Sequence, residues 1–233
     1  MIYRIADLDV KINNRFPFTD KFCKDYLVAD RERFDLEVSV SDEDLATEKK
    51  LSPDFSDGYI ENICIYRNIC NRMPTFNRFL MHCAVVEYDG KCYAFLGRSG
   101  TGKSTHTSLW LKNLPNAKIL NGDKPILLYD GNSFIVYGTP WQGKERLGYN
   151  GKCKLYGLCF LEQAKKNEIT RLTVGEAADR IFTQILLPND PVVVAKTLEL
   201  CDTLIKTVPS YLLKCDISDE AFQTSFNAME KGE

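Results

Sequence analysis

Eight consecutive residues, Gly97-Arg98-Ser99-Gly100-Thr101-Gly102-Lys103-Ser104, satisfy the pattern G-x-x-x-x-G-K-[ST] at every fixed position, and Thr105 follows. Each residue type has a chemical reason to be there. Glycines let the backbone turn so that successive N–H groups point at phosphate oxygens. Lys103 supplies a point charge for the β- and γ-phosphates, and the Ser104 hydroxyl can ligate Mg²⁺. A helix starting here presents its N-terminus to the anion. The run therefore reads as a cradle for Mg²⁺–ATP made by residues 97–105; the plainer alternative is a glycine-rich turn. The chain has neither an N-K-x-D-like guanine reader nor an L-S-G-G-Q-like signature, and about ninety residues precede the loop.

Phosphoryl transfer also needs a carboxylate near the metal. Asp123 is the first acid after the loop and follows the apolar pair Ile119-Leu120. It is expected to ligate the metal with Ser104 or to receive the acceptor's proton, although acids at strand ends are often only turn formers. His82 is one of two histidines in the chain. By default a histidine beside an apolar run is structural; here it is expected to orient Asp123 or the acceptor. His106, one turn into the helix, reads as helix-face structure or a supporting group. Lys124 is either a neighbour of the phosphates or a surface lysine. Residues 138–150, GTPWQGKERLGYN, form a glycine-rich polar loop. Its Lys144 and Arg146 are candidates to close over developing phosphoryl charge, and Trp141 is expected to cover the acceptor or the base.

The order of these runs carries a resemblance. Met81-His82-Cys83 lies one hairpin before the loop, and Ile119-Leu120-Asn121-Gly122-Asp123 lies about twenty residues after it. This resembles the catalytic domain of HPr kinase/phosphorylase, with its M-H-G, G-x-S-G-x-G-K-S and L-V-A-D-D runs; phosphoenolpyruvate carboxykinases share the loop type. The resemblance covers roughly residues 76–130. It implies that His82 corresponds to the family's active-site histidine and Asp123 to the second aspartate of its acidic pair. Gly122 stands where the family has the first aspartate, and the family's downstream signature is replaced by the 138–150 loop. The implied activity is transfer of the ATP γ-phosphoryl to a hydroxyl, on a protein serine or a small molecule. The alternatives are a small carboxykinase-like metabolite enzyme and a nucleotide-binding accessory or sensor protein without turnover, the latter favoured by Gly122.

Elements must hold these groups in place. Leu8, Val10 and Ile12 alternate as a strand, and Leu36, Val38 and Val40 continue a second begun at Phe34. Residues 41–50 are charged and read as a solvated helix or loop. Residues 55–72 read as a helix whose Tyr59, Ile63, Tyr66 and Cys70 form a core-facing stripe. A hairpin is expected over 82–88 and 91–96, turning at Asp89-Gly90. The loop and a helix through Leu111 follow. Further strands are expected at 117–121, 125–129, 133–137, 154–161, 168–172 and 211–215. Thr173-x-x-Glu176 is a capping box opening a helix to about Leu187. Helices over 191–207 and 219–230 complete a chain expected to be α/β, with a mixed sheet flanked by helices. The expected division is an N-terminal α+β segment, 1–75, packing on a kinase-like domain, 76–233.

Composition sets outer limits. The chain has 233 residues and a formal net charge of −2, which argues against a dedicated nucleic-acid binder. No run approaches the ~18 apolar residues of a membrane span. The nine cysteines form no C-x-x-C pair and sit mostly in apolar runs, so they are expected to be reduced thiols in a cytoplasmic protein. The sequence leaves the assembly state open, a homo-oligomer included.

Overall fold

A computed structural model describes residues 1–28 and 32–231. Strands β1 (Ile2–Ile5) and β2 (Leu8–Asn13) are antiparallel, joined at Ala6-Asp7, where both residues take positive φ (50° and 61°). Short helix α1 (Phe18–Phe22) follows, then β3 (Leu36–Ser39), which pairs parallel to β2. Phe34 lies outside β3 and is exposed. The charged 41–50 run is helix α2 (Asp42–Leu51), because Ser41 and Asp44 form a reciprocal capping box at its start. Helix α3 (Asp57–Arg72) begins at Ser56, whose side chain accepts from the Tyr59 N–H. Ile65 and Ile69 of α3 share one core with Tyr3, Val10, Val38, Leu80 and Ile126. The N-terminal elements thus pack on one face of the sheet that follows, at one end of it.

That sheet has nine strands: β4 (Arg78–Leu80), β5 (Cys83–Tyr88), β6 (Lys91–Leu96), β7 (Lys118–Asn121), β8 (Ile126–Tyr129), β9 (Phe134–Tyr137), β10 (Lys152–Gln163), β11 (Glu168–Arg171) and β12 (Ser210–Cys215). The order is β4-β8-β9-β10-β6-β5-β7, with β12 beside the end of β10 and β11 outside β12. Only β10–β6 and β10–β12 are parallel. The expected mixed α/β architecture is present. Strand β4, three residues long, is too short to show a period, and β1, Ile-Tyr-Arg-Ile, lacks apolar alternation in sequence.

Four helices cover the two faces: α4 (Lys103–Asn113) and α7 (Asp219–Phe226) on one, α5 (Val174–Ile181) and α6 (Pro191–Thr207) on the other. Strand β6 shows why both are needed. Cys92, Ala94 and Leu96 point into the α5–α6 core, and Tyr93 and Phe95 into the α4–α7 core. Helix α5 ends at Ile181, six residues before the expected end, because the chain turns to bridge Ile185 to Met81. All nine cysteines are free and buried. Among the described residues no helix is long and apolar enough to cross a membrane.

Candidate functional site

The 97–102 loop leaves the end of β6 and turns into α4. Gly102 makes the turn with φ 102°, a left-handed conformation that costs little only for glycine. No side chain caps α4, so its first-turn N–H groups keep their capacity for an anion. Lys103, 9% exposed, donates from Nζ to the carbonyls of Gly97 (2.7 Å) and Arg98 (3.3 Å). Burial lowers its ammonium from the ordinary lysine range, and Asp123 opposes that shift. Ser104 and Thr105 sit exposed at the head of α4.

Asp123 is held from three sides. The buried Asn121 side chain accepts from the N–H groups of Asp123 (2.9 Å) and Lys124 (2.8 Å), and its amide donates to Thr139. This Asx turn fixes the end of β7. His82 Nε2 lies 3.1 Å from Asp123 Oδ1, and Lys124 Nζ pairs with Oδ2. Burial raises the carboxyl's pKa, but the hydrogen bonds from His82 and Lys124 outweigh it and bring the group down to about 2. Asp123 is therefore ionised at any neutral pH, a strong charge and a weak base. The two residues singled out around the loop are in direct contact.

Gln184 was not legible in the sequence. Its backbone carbonyl accepts from the His82 N–H (2.6 Å), and its side chain is 4% exposed. The amide orientation that satisfies both ends donates to the carbonyls of His82 (3.2 Å) and Gly97 (3.1 Å). One buried amide thus ties the start of the glycine-rich loop to the His82 segment. His106 is structural: it is buried, its Nε2 is 3.0 Å from Ser225 Oγ, and desolvation lowers its pKa to about 4.

The 141–148 segment folds back over the end of β7. The Gly122 N–H donates to Leu147 O (2.9 Å), and a Cβ on Gly122 would meet the carbonyl oxygens of Gln142 at 3.0 Å and Leu147 at 3.2 Å. Loop backbone thus crowds the space that a side chain at position 122 would take. Trp141 does not form an outer cover. It is 6% exposed, tilted against Tyr66 at 4.9 Å between centroids, and forms part of a wall. Lys144 and Arg146 are exposed, and the Arg146 guanidinium lies over the Phe22 ring at 5.8 Å.

These groups surround one cleft of about 980 Å³. His82, Asp123, Lys124, Lys144 and Arg146 line it, as do Ser99, Gly100 and Gly102 through Thr105. Of the expected cradle, Gly97, Arg98 and Thr101 stand behind the lining; the Thr101 hydroxyl donates to Arg98 O (2.9 Å) and braces the loop. The far wall corrects an expectation. Tyr59 and Ile63, expected to face the core, are half-buried and line the cleft; Tyr66 lines the cleft and also packs against the core, which holds Cys70 as expected together with Cys64, Ile65 and Ile69. Helix α3 is apolar on both sides, so periodicity alone does not say which stripe faces inward. Phe18 and Phe22 of α1 complete that wall.

Chemically, the cleft offers open N–H donors, a buried ammonium, an ionised carboxylate and two exposed cations. No family model matches the chain. No curated protein matches it. Among solved structures, the chain is similar to the Hpr(Ser) kinase/phosphatase from Coxiella burnetii, with 12% identity, a TM-score of 0.28, and coverage of 55% of this chain and 88% of that one.

Proposed function

We propose that this protein is an ATP-dependent phosphotransferase of the HPr kinase-like type, acting in the cytoplasm on a hydroxyl acceptor. The observation that carries the reading is the single cleft shared by an uncapped helix N-terminus, Lys103 and the His82–Asp123–Lys124 cluster. In this reading residues 97–105 hold the triphosphate of ATP, with Arg98 and Thr101 shaping the loop from behind. Segment 76–233 forms the catalytic domain, and segment 1–75 packs against it.

The donor set suits Mg²⁺. Ser104 and Asp123 offer hard oxygen ligands in the same cleft, and Mg²⁺ takes its remaining ligands from phosphate and water. Each Asp123 oxygen keeps a second lone pair beyond its contact with His82 or Lys124. When bound, the ion neutralises charge on the β- and γ-phosphates. Lys103 turns from its own loop carbonyls to the phosphates. Asp123 orients the acceptor hydroxyl and takes its proton late, since a group with a pKa of about 2 abstracts nothing early. His82 fixes the Asp123 carboxylate. Lys144 and Arg146 approach the transferring group from the loop, where added positive charge stabilises the transition state.

The test is γ-phosphoryl transfer from labelled ATP, run beside nucleotide binding. Asp123→Asn is expected to keep most of its affinity and to lose ~10²–10⁴-fold in rate. Wild-type turnover in that variant overturns the mechanism. A second reading, a nucleotide-binding sensor, is favoured by the loop backbone that stands where a second carboxylate would be. Tight binding without turnover in the wild type would select it.

A further inference from the structure

Asp123 and Lys124 are held at every polar backbone atom. Their N–H groups both donate to Asn121 Oδ1, at 2.9 and 2.8 Å. The Asp123 carbonyl accepts from the Cys83 N–H (3.1 Å), and the Lys124 carbonyl accepts from the Thr139 hydroxyl (2.7 Å). Asn121 and Thr139 are both fully buried, and each side chain uses its whole bonding capacity. Asn121 makes four bonds, because its amide also donates to Thr139 O (3.2 Å) and to Thr139 Oγ1 (3.1 Å). The Thr139 hydroxyl makes three, since it also accepts from the Trp141 N–H (3.3 Å). Lys124 and Thr139 each precede a proline, Pro125 and Pro140, which disfavours helical backbone at both.

Burying polar side chains costs free energy unless each group finds a partner, and a network satisfied to its last group rigidifies what it holds. Here it holds the backbone under the Asp123–Lys124 ion pair. Thr139 also reaches the segment that leans on Asp123. Through the Trp141 N–H it fixes the start of 141–147, and a Cβ on Gly143 of that segment would lie 3.0 Å from the Asp123 Cβ. One hydroxyl therefore braces the turn beneath the carboxylate and the chain beside it. Neither Asn121 nor Thr139 lines the cleft, so each acts there only through the residues it holds. A metal ligand works best when its place is set before the metal arrives, and the partners that set it tune affinity without touching the ion.

We propose that Thr139, together with Asn121, is a positioning residue that sets the Asp123 carboxylate for Mg²⁺ at the nucleotide while touching neither. This role rests on the phosphotransferase reading above, in which Asp123 is a metal ligand.

The test separates nucleotide affinity from its dependence on the metal. AMP-PNP affinity is measured by calorimetry in EDTA and again with Mg²⁺, for wild type, Thr139→Ser, Thr139→Cys and Thr139→Val. Serine keeps the hydroxyl, cysteine offers a weaker donor, and valine keeps the shape with no donor. Affinity in EDTA depends on residues 97–105 and should be the same in all four proteins. The Mg²⁺ enhancement, the ratio of the two affinities, should stay at the wild-type value in Thr139→Ser. It should fall about ten-fold in Thr139→Val, as when a partner that orients a metal ligand is removed, with Thr139→Cys between. In an Asp123→Asn background Thr139→Val should lower the enhancement no further, because no carboxylate is left to place. Urea midpoints report folding, and if Thr139→Val does not fold, the step from serine to cysteine decides. An enhancement unchanged in the cysteine and valine variants overturns the proposal. So does a fall that repeats in full on Asp123→Asn, or one matched by an equal loss of affinity in EDTA, since either makes Thr139 a residue of the fold alone. A wild type that binds no AMP-PNP, or binds it equally with and without Mg²⁺, removes the phosphotransferase reading itself and this role with it.

Discussion

Replacing Gly122 by aspartate would restore on paper the acidic pair of the family that the sequence resembles. The structure predicts damage instead. A Cβ at position 122 would sit 3.0 Å from Gln142 O and 3.2 Å from Leu147 O, both backbone atoms that move only with the whole segment. Forcing such contacts costs about 1–3 kcal/mol. The Gly122 N–H to Leu147 O bond, 2.9 Å long, would stretch or break, adding about 1 kcal/mol. Gly122→Ala should therefore lose about 2–4 kcal/mol of stability. Gly122→Asp should lose more, because its carboxylate meets two carbonyl oxygens and the Asp123 charge. Urea unfolding of the two variants measures the loss, and a Mg²⁺ titration of nucleotide binding measures the site. Both variants should unfold at lower urea, and Gly122→Asp should not tighten Mg²⁺. A Gly122→Asp protein as stable as wild type, with tighter Mg²⁺-dependent binding, would refute the argument that loop backbone fills the space.

Two further perturbations probe the framework. His106 is held neutral with a pKa of about 4 against an ordinary 6.5, so the unfolded chain takes up a proton before the folded one does. Its contribution is complete above about pH 6.5 and is lost as pH falls toward 4, about 3 kcal/mol in all. His106→Gln should flatten the stability profile in that window, and an unchanged slope there would contradict the assignment. Gln184→Ala leaves the carbonyls of His82 and Gly97 without their amide donor. It should cost about 1–3 kcal/mol in urea unfolding and weaken nucleotide affinity through Gly97. Lost stability with wild-type affinity would show that this tether does not set the loop.

How much of the site could be read in advance depended on whether a residue acts through local pattern or through contact. The 97–104 loop was legible because its glycines, lysine and serine sit at fixed spacing between an apolar strand and a helix. The hairpin that brings His82 near the loop was legible too, since alternation and Asp89-Gly90 mark it. Asn121 and Gln184 were not, because a buried amide declares its partners only once the chain is folded: Asn121 reaches Thr139, and Gln184 reaches His82 and Gly97. Of the stripe Tyr59, Ile63, Tyr66 and Cys70, the last two pack on the core as expected, while Tyr59 and Ile63 face the cleft. Both flanks of α3 are apolar, and only the position of α1 and β2 decides which one meets the core. Gly122 was visible as a missing acid; its reason, the approach of the 142–147 backbone, lies in tertiary structure.

The most direct test of the central claim is a calorimetric titration of Mg²⁺–AMP-PNP into the wild-type protein and Lys103→Ala. The account predicts one saturable site, weakened in the variant by about 1–3 kcal/mol for the loss of one charge-assisted contact. Folding of the variant is checked by its urea midpoint, since Lys103 also bonds Gly97 O and Arg98 O. No binding to wild type, or equal affinity in the two proteins, would contradict the claim that the cleft beside Asp123 is a nucleotide site.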